Sequence, residues 1–151
     1  MESTNAILLV EDNPGDAELV QRALTMNGAV GDLVVVADGV DALDYLFGTG
    51  AYAKRDTRVM PSLILLDLKL PTMDGLEVLR RLRADSRTAT IPVVILTSSD
   101  READVSESYG LGCNSYLRKP MTFGGLLDAM RQVVSYWLGL NRPPHIAGGT
   151  R

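Results

Sequence analysis

Short runs of consecutive apolar residues alternate along this chain with stretches whose apolar positions recur every three or four residues. Runs of the first kind suit strands buried on both faces, and spacing of the second kind suits helices with one buried face. Ala6–Val10 predicts the first strand. Asn13 then stands where a side-chain oxygen caps a helix, and Pro14 takes the first helical position, where its missing N–H costs nothing. That helix buries Ala17, Leu19 or Val20, Ala23 and Leu24, and stops near Asn27-Gly28. Leu33–Ala37 predicts a second strand and Val40–Phe47 an amphipathic helix, followed by a polar connection, GTGAYAKRDTRVMP. Leu63–Leu66 is a third strand, and Gly75–Ala84 a helix carrying Leu76, Val78 or Leu79, and Leu82. Val93–Leu96, Arg101–Tyr109, Ser115–Leu117 and Phe123–Leu138 complete the series as strand, helix, strand and helix. Residues 1–140 read as one domain, and 141–151, NRPPHIAGGTR, as a flexible tail.

Strand and helix alternate five times, with connections too long for hairpins. The fold class is therefore α/β, a flavodoxin-like doubly wound sheet of five parallel strands with five helices. Right-handed crossovers place every strand's carboxyl end on one rim. With the 2-1-3-4-5 order of that fold class, the ligand crevice lies between the ends of strands one and three. Glu11-Asp12 and Asp67 stand at those two ends.

Composition narrows the chemistry. The chain has 151 residues, 46% hydrophobic and 23% charged, as expected of one globular domain. A net charge of −4 offers nothing to a nucleic-acid backbone or an anionic membrane. No apolar run approaches the roughly 20 residues of a membrane span, and the opening MESTNAILLVED lacks the basic region of a signal peptide. The lone Cys113 cannot form an internal disulfide, which fits a reducing, cytoplasmic setting. His145, the only histidine, falls in the tail, so histidine-based zinc sites and catalytic triads are excluded from the folded body. What remains is mostly carboxylate chemistry.

The stretch LILLDLKLPTMDG shows the problem: four branched residues end directly in Asp67, at the lip of a core where an unpaired charge is costly. Taken singly, an acid after a strand is equally well a helix cap or a solvated turn. The successive strand ends, however, carry Glu11-Asp12, Asp67, Thr97 and Lys119-Pro120. Carboxylates forced together repel unless a cation neutralises them, and oxygen ligands of this kind suit Mg²⁺.

In ILLVEDNPGD, LILLDLKLPTMDG, VVILTSSD and SYLRKP, in that order and spacing, the chain resembles the receiver domain of two-component response regulators over about residues 5–138. The resemblance implies that Asp67 is the phosphoacceptor and that Glu11, Asp12, Asp67 and the backbone carbonyl of Lys69 hold Mg²⁺. Thr97 and Lys119 then contact the phosphoryl group, Thr97 and Tyr116 form a switch pair, and Lys119–Pro120 is a cis bond. Lys69 and Ser99, with Ser98 beside them, stand where they would tune the lifetime of the acyl phosphate; for Lys69 the alternative is a merely solvated side chain. Phosphoryl transfer needs positioning and cations more than acid–base help, which agrees with these residue types.

No output module follows the last helix, so the expected function is that of a single-domain response regulator. A sensor histidine kinase would donate the phosphoryl group, and the long 48–60 connection and the YWL ending resemble regulators paired with phytochrome-type kinases. Apolar residues on the last helix cover an arc of about 200°, wider than a one-sided core helix requires, which reads as a homodimer or partner face or as Trp137 and Leu140 folding back. Three rivals share parts of the pattern. A haloacid-dehalogenase-type phosphatase would carry a second Asp where Lys69 stands. A flavodoxin-type electron carrier would need a phosphate loop where EDNPGD stands. A non-phosphorylated receiver-like adaptor would not need the metal acids at all.

Overall fold

The computed structural model describes residues 6–28 and 32–144. Strands β1 (Ile7–Val10), β2 (Leu33–Val36), β3 (Leu63–Leu66), β4 (Val93–Thr97) and β5 (Ser115–Arg118) form one parallel sheet in the order β2-β1-β3-β4-β5. Helices α1 (Pro14–Met26), α2 (Gly39–Phe47), α3 (Gly75–Ala84), α4 (Glu102–Gly110) and α5 (Phe123–Val134) alternate with them. The expected order is the observed one, and most element ends fall within one residue of their predicted positions. The last helix differs: α5 gives way after Val134 to a π-helical segment, Ser135–Leu140.

The strand period of two explains the continuous apolar runs. Ile7, Leu9, Leu63, Leu65, Val94 and Leu96 face α1 and α5, packing on Ala17, Val20, Leu24, Leu126, Met130 and Val133. Their neighbours Leu8, Val10, Ile64, Leu66, Val93 and Ile95 face α2 and α3, packing on Ala42, Leu46, Val78, Leu79 and Leu82. Both alternatives left open by the helical spacing are thereby resolved. Val20 is buried and Leu19 exposed, whereas Val78 and Leu79 are both buried. Full burial of each such aliphatic side chain contributes about 1.5–3 kcal/mol. By contrast α4 buries only Ser108 and is the helix least anchored in the core.

Two arginines organise the connections. Arg83 of α3 reaches Gly112 O at 2.8 Å, Ile91 O at 2.9 Å and Asn114 Oδ1 at 2.9 Å, tying α3 to the segment before β5. Within the 48–60 connection, Arg55 lies over the Tyr45 ring at 4.2 Å and donates to the carbonyls of Tyr45, Leu46 and Val59. That connection holds a short 3₁₀ turn, Gly50–Tyr52, and is built rather than loose.

The loop between β3 and α3 is the part of the fold that positions the site. Thr72 adopts φ 62°, a strained conformation for a residue with a Cβ, and Met73 N–H donates to Pro71 O across it. Asp74 caps α3 by accepting from Glu77 N–H, and Gly75 N–H donates back to Leu68 O at 2.8 Å. A Cβ on Gly75 would stand 2.2 Å from Asp67 O and 2.7 Å from Leu68 Cα, so the helix can approach the strand tip this closely only without a side chain there. Gly75→Ala should therefore lower stability in urea unfolding by about 1–3 kcal/mol through forced backbone displacement. Gly124→Ala, where an added Cβ meets nothing within 4 Å, should be neutral or mildly stabilising.

Candidate functional site

Strand pairing carries the acids to the rim. Val10 pairs with Leu66, Glu11 N–H donates to Val36 O, and Asp67 N–H donates to Val10 O, so Glu11 and Asp67 leave the sheet side by side. Thr97 ends β4, and Lys119 N–H donates to Thr97 O at 2.7 Å, placing the lysine one step past β5. Glu11, Asp67, Thr97 and Ser99 are buried, whereas Asp12, Lys69 and Ser98 are exposed.

Carboxylate oxygens of Glu11, Asp12 and Asp67 all lie within 4.8 Å of one another. They are the grouping of metal-binding side chains found among the described residues, and three oxygens at that spacing fit a hard divalent ion such as Mg²⁺. The Lys119 ammonium lies 2.7 Å from Glu11 Oε1, 2.9 Å from Asp16 Oδ2 and 3.1 Å from Asp67 Oδ2. Its three protons thus meet three carboxylates. Asp67 Oδ1 also accepts from Lys69 N–H at 3.2 Å, and Glu11 Oε2 from Asn13 N–H at 3.0 Å.

The electrostatics follow from this sharing. Burial by itself would lower Lys119, but its hydrogen bonds with Glu11 and Asp16 and the charge of Asp67 outweigh it and hold the ammonium well above the ordinary lysine range. Glu11 moves up, because burial outweighs its hydrogen bonds with Lys119 and the Asn13 amide, and Asp67 adds repulsion. One cation divided among three anions leaves the most deeply buried of them under-compensated.

Thr97 Oγ1 is fully buried and stands 3.5 Å from Ser99 N. Ser99 in turn bonds Asp104 of α4 through its hydroxyl, and its carbonyl accepts from the Tyr116 hydroxyl at 2.9 Å. The two residues of the expected switch pair are thus joined through one short segment after β4. At the far end of the domain, Trp137 and Leu138 pack back on the core while Tyr136 and Leu140 stay exposed, which narrows the wide apolar arc of the last helix. Residues 141–144 carry no regular structure, and His145 with the rest of the expected tail lies outside the described residues.

Two points depart from the sequence reading. No cis peptide bond occurs among the described residues, so Lys119–Pro120 is trans, and the lysine is aimed by β5 pairing and by its three carboxylates instead. Asp16, the third anion on Lys119, had no sequence signal of its own. An acid in the first turn of a helix is ordinary, since it complements the helix dipole.

The sheet order, the acid cluster after β1 and β3, and the lysine after β5 together define a receiver. The chain belongs to the response regulator receiver domain family, which it matches over residues 7–131. It is 42% identical over 138 residues to the probable methanogenesis regulatory protein FilR2 of Methanothrix harundinacea, covering 91% of this chain and 86% of that protein. It is 40% identical over 132 residues to the response regulator Rcp1 of Synechocystis, covering 87% of this chain and 88% of the relative. Among solved structures, the phosphorylated cyanobacterial phytochrome response regulator RcpA superposes with a TM-score of 0.86 at 38% identity, over 93% of this chain and 99% of that one. No helix among the described residues is long and apolar enough to cross a membrane.

Replacing Lys119 by Met removes the cation from this cup. Without divalent ions the variant should lose about 3 kcal/mol at neutral pH, since three carboxylates are left uncompensated. A carboxyl whose folded-state value lies above its unfolded value binds its proton more tightly when folded, so ionisation costs stability that returns as pH falls through the folded value. Glu11, already raised by burial, should rise further in the variant, and urea unfolding should show stability recovering on acidification from neutral pH toward the ordinary carboxylate range.

Proposed function

We propose that this receiver accepts a phosphoryl group on Asp67 from the phosphohistidine of a sensor kinase, in a Mg²⁺-dependent reaction. The observation that carries the reading is the Asp67 carboxylate itself: buried at the rim, it touches both the three-acid cluster and the Lys119 ammonium. A phytochrome-type kinase is the partner we favour, because RcpA is by name a phytochrome response regulator and aligns over nearly the whole chain. The free, buried Cys113 agrees with a cytoplasmic exchange.

In this reading Glu11, Asp12, Asp67 and the Lys69 carbonyl hold Mg²⁺, which when bound offsets negative charge on the phosphoryl oxygens and on the attacking carboxylate. An Asp67 carboxylate oxygen forms the new bond to phosphorus while the donor's P–N bond breaks, and the imidazole, already protonated at its other ring nitrogen, leaves as the neutral base with the P–N electron pair. Lys119 supplies a mobile positive charge to a phosphoryl oxygen, and Thr97 a hydroxyl donor. Asp67 is suited to the attack because the loop beneath it is pinned through Gly75 to α3. Movement of Thr97 toward the new phosphate would draw on Ser99 and so on Tyr116 and Asp104, passing the change to the weakly anchored α4 and to β5. Lys69, two residues past the acceptor, and Ser98 and Ser99, just after β4, are the residues that would tune the lifetime of the acyl phosphate. Tyr136 and Leu140 are the apolar side chains through which a second copy would dock on the last helix.

Incubation with acetyl phosphate and Mg²⁺ should add one phosphoryl group to the parent by intact mass and none to Asp67→Asn, and chelation of the metal should abolish the gain. A parent that binds Mg²⁺ but never gains mass would instead favour a non-phosphorylated adaptor. Lys69→Ala should change the rate of dephosphorylation; an unaltered rate means a merely solvated lysine. Sedimentation of the phosphorylated protein should show a dimer that Leu140→Asp disperses.

A further inference from the structure

Of the three carboxylates on the Lys119 ammonium, Glu11 and Asp67 belong to the oxygen cluster that fits a divalent ion, and Asp16 does not. An ion entering that cluster takes oxygens from Lys119 and adds a like charge beside it. Asp16 is the acceptor that holds the ammonium without competing for the ion. Its backbone is itself fixed, since Asp16 N–H donates to the capping Asn13 Oδ1 at 2.9 Å in the first turn of α1.

We infer that Asp16 is a positioning residue for Lys119: it gives the ammonium a partner outside the ion cluster, so that Glu11 and Asp67 can turn their oxygens to an entering ion while Lys119 stays beside Asp67. The inference rests on the reading of the cup as a Mg²⁺ site. Without Asp16, Lys119 bears fully on Glu11 and Asp67, and ion and ammonium contend for the same oxygens. The Asp16 side chain is 41% exposed, so solvent screens its hold on Lys119 and the effect is moderate rather than absolute.

Mg²⁺ affinity, measured calorimetrically on the unphosphorylated protein, reads this directly. Asp16→Asn preserves size and the helix cap, and should weaken Mg²⁺ binding by about three- to tenfold. The discriminating arm is Lys119→Gln: if Asp16 acts through Lys119, adding Asp16→Asn to that background should change affinity by less than about twofold. An equal loss in both backgrounds would reduce Asp16 to a long-range charge and overturn the inference, as would no loss in the parent background. Because Lys119→Gln removes a buried cation, the ammonium resonance of Lys119 provides a second reading in folded protein. With Mg²⁺ present it should stay protected from solvent exchange in the parent and lose that protection in Asp16→Asn; equal protection in both would also overturn the inference. A parent that binds no Mg²⁺ would refute the metal site itself, and this inference with it.

Discussion

One ammonium holds this site together. Glu11, Asp12 and Asp67 place carboxylate oxygens within 4.8 Å of one another, and two of these residues are buried. Even with an effective dielectric constant near 20, each such like-charge pair costs on the order of 3 kcal/mol. Lys119 offsets this by keeping its charge and donating an N–H each to Glu11, Asp67 and Asp16. The compensation is incomplete, since one positive charge faces the carboxylates of Glu11, Asp12, Asp16 and Asp67, and that residual negative charge is what suits the cup to a second, divalent cation.

Such an arrangement survives only on a rigid frame. Paired strands deliver Glu11 and Asp67 side by side, and the two apolar layers beneath them exclude water from every strand residue of β1 and β3. The strained turn at Thr72 and the bare Cα of Gly75 let α3 press against the Asp67 carbonyl. Stability drawn from the core thus maintains a backbone geometry that the acids alone would not choose.

Helix α4 is held less tightly than the elements around it, burying Ser108 alone. Ser99 links buried Thr97 to Tyr116 and to Asp104 at the start of α4, a helix with a single buried residue. A shift of Thr97 would therefore have a short route of contacts to the α-helix with the fewest buried residues.

Much of this was legible in the sequence. Apolar runs and helical spacing determined the α/β class, the element order and which strand tips carry Glu11, Asp12, Asp67, Thr97 and Lys119, because burial on two faces requires such runs. Helical spacing could not choose between Leu19 and Val20, because adjacent positions lie only about 100° apart on a helix and the packing partner decides. Nor did it reveal Asp16 or the trans Lys119–Pro120 bond, and it left open the folding back of Trp137 and Leu140, of which Trp137 returns to the core with Leu138 while Leu140 stays exposed. These depend on contacts between residues distant along the chain, above all the approach of Lys119 to the first turn of α1. Local pattern reports which face of an element is buried; only the assembled sheet determines which charges meet across it.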